Sequence, residues 1–79
     1  MTAKKLESIE NELNVVQAML ISLGVDELEI YTTLLSINPF EDDDAIYFKK
    51  ITEALNVIAE AAEQYEVCEQ LQKLKDKIK

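Results

Sequence analysis

The 79-residue chain has no histidine and no arginine, and it holds only one cysteine, one glycine and one proline. Each scarcity removes a class of chemistry. Without histidine, Ser8, Ser22, Ser36 and Cys68 have no imidazole to activate them as nucleophiles. A single glycine cannot build a Gly-rich phosphate cradle. Carboxylate-bridged di-metal bundles add Glu-x-x-His pairs to inward glutamates, so Glu60, Glu63, Glu66 and Glu69 read as a solvated acidic face rather than metal ligands. The lone Cys68 rules out an intramolecular disulfide and demands no oxidising compartment, and it reads as a small core or interface residue beside Val57 and Ala61. The chain is therefore read as non-enzymatic, with no cofactor and no metal.

Charge of one sign is also scarce. Sixteen acidic residues against eight lysines give a net charge of −8. A surface that follows a phosphate backbone needs clustered Lys and Arg, which disfavours direct nucleic-acid binding and favours a basic partner. The longest apolar stretch, Val15 to Leu23, is interrupted by Gln17 and Ser22 and falls short of the ~20 residues that span a bilayer. Glu7, Glu10 and Glu12 stand where a signal peptide would need an apolar run, so a cytoplasmic location is expected.

What the chain does have is helical periodicity. With 48% hydrophobic residues it can build a core, and the shortage of turn residues leaves no hairpin chemistry, so an all-α single domain is expected. Leu6, Ile9, Leu13, Val16, Leu20 and Leu23 recur at alternating spacings of three and four, the a/d pattern of a coiled coil, and predict a helix over about 4–23. Val15, Ala18 and Met19 widen that stripe towards a second neighbour, and Gly24 ends the helix in a left-handed cap. Asp26 is the expected cap of a second helix over 27–37, whose apolar face is Leu28, Tyr31, Leu34 and Leu35. It stops before Pro39. The acidic run Glu41 to Asp44 has the oxygens for a hard cation but lacks EF-hand spacing, so it reads as the cap of a third segment over 44–79, with Lys73, Lys75, Lys77 and Lys79 at its negative end.

That third segment poses the main structural question. Phe48, Ile51, Leu55, Ile58, Ala62 and Tyr65 form one apolar stripe, whereas Val67, Leu71, Leu74 and Ile78 form a second on nearly the opposite side. One straight helix cannot bury both against a small core. Either the segment breaks near 64–66 and folds back, or it runs on and its second stripe meets another copy. No Gly or Pro marks a break, so the favoured reading is a long C-terminal helix in a homo-oligomer, with Val67, Leu71, Leu74 and Ile78 as the oligomer or partner interface.

The function expected on these grounds is a self-associating helical module that binds another protein as regulator, adaptor or inhibitor, phage-encoded inhibitors included. An acidic mimic of nucleic acid that blocks a nucleic-acid-binding protein is an alternative motivated by the sixteen carboxylates. Sequestration of a small anion such as a nucleotide by Tyr47, Lys49 and Lys50, two of them cations beside an aromatic ring, is another.

Overall fold

The computed structural model describes residues 3–38, 40 and 43–78. Four helices follow one another, α1 (Ala3–Ser22), α2 (Glu27–Leu35), α3 (Asp44–Ala61) and α4 (Tyr65–Lys77), and no strand occurs among the described residues. No described helix is long and apolar enough to cross a membrane. An unbroken helix from 44 to 79 would be about 50 Å long at 1.5 Å per residue, yet the longest dimension of the molecule is 33 Å. The third segment is broken.

The break is a hydrogen-bonded turn. The Gln64 amide donates to the Ala59 carbonyl at 2.8 Å and the Glu63 amide to the Glu60 carbonyl at 3.0 Å, while Glu63 takes a left-handed backbone with φ of 59°. These are the paired bonds of a Schellman cap, which satisfy carbonyls that the end of α3 would otherwise leave open. The end of α1 carries the same pair: the Val25 amide donates to the Leu20 carbonyl and the Gly24 amide to that of Ile21, around Gly24 at φ 98°. At α1 the left-handed residue is the expected glycine. At α3 it is a glutamate, so the preference for a continuous helix is corrected.

Folding back changes the fate of the second stripe. Val67, Leu71, Leu74 and Ile78 are each 3% exposed or less, and they share a single core with Ile9, Leu13, Val16 and Leu20 of α1 and with Ile51, Leu55 and Ile58 of α3. The stripe assigned to an oligomer interface is part of the chain's own interior. Two cations flank it. Lys77 donates to Glu12 of α1 at 3.1 Å and Lys75 pairs with Glu53 of α3 at 2.9 Å. Exposed pairs of this kind contribute little energy, about 0–1 kcal/mol each. They tie α4 to α1 and α3 at its edges, while the buried stripe holds it between them.

The remaining sequence expectations divide by face. Ile9, Leu13, Val16 and Leu20 are buried as expected, and Met19 packs on the core, but Val15, Ala18 and Leu23 are exposed. Ala62 and Tyr65, the last members of the first α3 stripe, are exposed because the turn leaves the core at that point. Asp26 and Asp43 cap α2 and α3, accepting from the Leu28 and Ala45 amides at 2.9 and 2.8 Å. Thr52, buried among apolar neighbours, satisfies its hydroxyl by donating to the Phe48 carbonyl at 2.7 Å. Pro39, Glu41, Asp42 and Lys79, named in the sequence expectations, lie outside the described residues.

Two substitutions test this arrangement. Glu63→Gly relieves a left-handed residue and is expected to stabilise the fold by up to about 1 kcal/mol in urea titration. In a continuous helix the same change would cost about 1 kcal/mol, so the sign alone decides. Leu71→Ala removes a fully buried side chain and is expected to destabilise by about 2–5 kcal/mol.

Candidate functional site

Helix α2 is nine residues long, too short to be stable alone, and it is held by what it packs on the rest of the bundle. Its inner side is Ile30, fully buried, with Leu34 and then Ile37 partly buried against the core. Its outer side is also apolar. Leu28 is 70% exposed, Tyr31 45% and Leu35 84%. At 100° per residue these three lie within about 60° of one another and about 125° round the helix from the inner set. The expected apolar face of Leu28, Tyr31, Leu34 and Leu35 is thus corrected: Leu34 belongs inside, and the other three form a separate stripe in water. The chain leaving α2 exposes a further aromatic, Phe40, at 87%.

Carboxylates frame the stripe. Asp26 caps the helix, and Glu27 and Glu29 occupy its first turn, where the positive end of the dipole favours them. The neighbouring Glu27 carboxylate favours the protonated phenol and so raises the Tyr31 pKa above its ordinary value of 10.0. The sequence holds no cation between Lys5 and Lys49.

This outer stripe is what sequence reasoning missed. The signal was present in two interleaved patterns, Leu28-x-x-Tyr31-x-x-x-Leu35 and Ile30-x-x-x-Leu34-x-x-Ile37, each with helical spacing. A helix with two apolar faces has more than a small bundle can cover.

The residues proposed for anion binding are not brought together. Tyr47 is half-buried with its ring centroid 5.6 Å from that of Phe48, both packed against the core. Lys49 and Lys50 follow on the next positions and so point about 200° and 300° round the helix from it. The groove beside Tyr47 is lined by Glu10, Asn14 and Gln17, and a carboxylate there repels an anion. A cavity of about 540 Å³ between the two Schellman turns is lined by Asp26 and Glu29 but by no described cation. Glu60, Glu63, Glu66 and Glu69 are exposed, and no described group of three His, Cys, Asp or Glu residues could hold a metal.

Compared with known proteins, the chain matches no family model, no curated protein and no solved structure.

Cys68 is half-buried where α4 meets α3, its Sγ 3.9 Å from the Asn56 carbonyl oxygen, while Val57 and Ala61 beside it in the sequence expectation are exposed. Burial and then the Glu60 charge push the thiol above its ordinary value of 9.0. The folded chain therefore keeps this proton longer than the unfolded chain. Its contribution to stability is full below pH 9.0 and is lost as pH rises through the higher folded value. Alkylation by iodoacetamide at mildly alkaline pH is expected to be slower in the native chain than in urea, and equal rates would show an accessible thiolate.

Proposed function

We propose that the chain is a non-enzymatic helical interaction module that binds another protein through the outer face of α2, as a regulator, adaptor or inhibitor. The observation that supports this is the exposure of Leu28, Tyr31 and Leu35 on one side of a capped helix whose other side is anchored in the core. Leucines and a tyrosine clustered at helical spacing are the anchors that a helical interface uses, and the tyrosine adds area at low entropic cost. With no histidine and no Gly-rich loop, the chain offers little for catalysis.

The reading places a different protein, not a second copy, on this face. Burial of Val67, Leu71, Leu74 and Ile78 removes the apolar surface on which self-association was first expected. Pairing two copies through α2 would also oppose Asp26, Glu27 and Glu29 of each across the contact, on chains that each carry a charge of −8.

A second reading is favoured by one observation. Between Lys5 and Lys49 the chain has ten acidic residues and no cation, as a mimic of nucleic acid would. Salt separates the two, because mimicry predicts partner binding that collapses as ionic strength rises, and apolar docking does not.

The double variant Leu28→Glu/Leu35→Glu changes only exposed positions, so its circular dichroism and melting temperature are expected to match the parent closely. Proteins captured by the parent should be lost with this variant at both low and high salt. If every captured protein is retained by the variant, the α2 face is not the docking surface.

A further inference from the structure

Resting on that reading of α2, we infer that its partner is a cationic amphipathic helix, with leucine-like anchors at helical spacing and lysines or arginines along their flanks. Two features of the α2 face specify this class. The first is shape. Leu28, Tyr31 and Leu35 form a narrow ridge about 10 Å long, seven residues at 1.5 Å, which suits the apolar stripe of another helix laid along it. The second is charge. Glu27, about 75° round the helix from the middle of the ridge, flanks it on one side, and Glu29 lies about 125° round on the other. A partner helix that buries its anchors on the ridge brings a flanking position over Glu27, where a lysine or arginine is attracted and an acid is repelled. Lys75 and Lys77 do not compete for the role, since they are paired with Glu53 and Glu12 elsewhere on the bundle.

The test uses the full chain labelled for NMR and three synthetic probes. One is a helical leucine–lysine peptide with its leucines on one face, the second is its leucine–glutamate counterpart, and the third is a leucine–lysine peptide of the same composition with scrambled order. The expected result is that the first peptide shifts the signals of Leu28, Tyr31 and Leu35 and binds at least about tenfold more tightly than either other peptide. Leu28→Glu/Leu35→Glu adds two charges of the attracting sign, so loss of binding in that variant supports anchoring by the ridge, whereas tighter binding would overturn it. Glu27→Gln/Glu29→Gln should weaken the first peptide by a factor of about three to ten and leave the folded spectrum in place.

Other outcomes are equally decisive. If the leucine–glutamate peptide binds α2 as well as the leucine–lysine peptide, the preference for cations is wrong and the docking face stands. If no peptide shifts α2 signals, both the inference and the docking face fail. Equal binding by the scrambled peptide would mean that charge alone acts, as a nucleic-acid mimic requires, and would overturn the inference. A concentration-dependent dimer in sedimentation that Leu35→Glu dissociates would assign the ridge to a second copy and overturn it too.

Discussion

The hydrogen bond from the Gln64 amide to the Ala59 carbonyl forms only because Glu63 accepts a left-handed backbone, and the course of the last 15 residues follows from it. Reversal at this point lets Val67, Leu71, Leu74 and Ile78 complete the core that α1 and α3 begin. Without it α1 would have only α3 and part of α2 to cover Ile9, Leu13, Val16 and Leu20. A domain of 79 residues lies near the size at which one core suffices, so the loss of four buried side chains would matter. The strain at Glu63 is a local cost, offset by the burial that the reversal makes possible.

Two turns with the same hydrogen bonds were unequally legible in the sequence. Gly24 announces its cap, because glycine enters the left-handed region without a steric cost, and the end of α1 could be placed within a residue. Glu63 announces nothing. Local propensity at Ala62, Glu63 and Gln64 favours helix, and the turn arises from a tertiary gain that only the opposed stripes on either side hinted at. Those stripes posed the right alternatives, and the lack of a breaker tilted the choice the wrong way. The Asp26 cap and the core half of the α1 pattern were readable for the opposite reason, since hydrogen bonding and periodicity there act within a few residues.

The face of α2 was harder to read, because apolar content does not say which side of a helix is wet. Leu28, Tyr31, Leu34 and Leu35 are the denser group by sequence, yet the bundle takes Ile30, Leu34 and Ile37. The choice depends on the angle at which α2 leaves the Gly24 turn, and a wheel contains no such angle. Tyr47, Lys49 and Lys50 illustrate a related limit. Neighbours in sequence diverge by 100° at each step on a helix, so adjacency of an aromatic and two cations does not make a pocket.

The pairing of Lys77 with Glu12 joins residues 65 apart in the sequence. It places the end of α4 beside α1, while the turns at Gly24 and Glu63 border one cavity at the far end of the molecule. The bundle is thus nearly closed on itself like a clasp, with its fastening late in the chain. Most of its other contacts, above all those between α3 and α4, are local and can form early. During synthesis, the part of α1 that α4 covers stays open until α4 has left the ribosome, although α3 can pack on α1 before then.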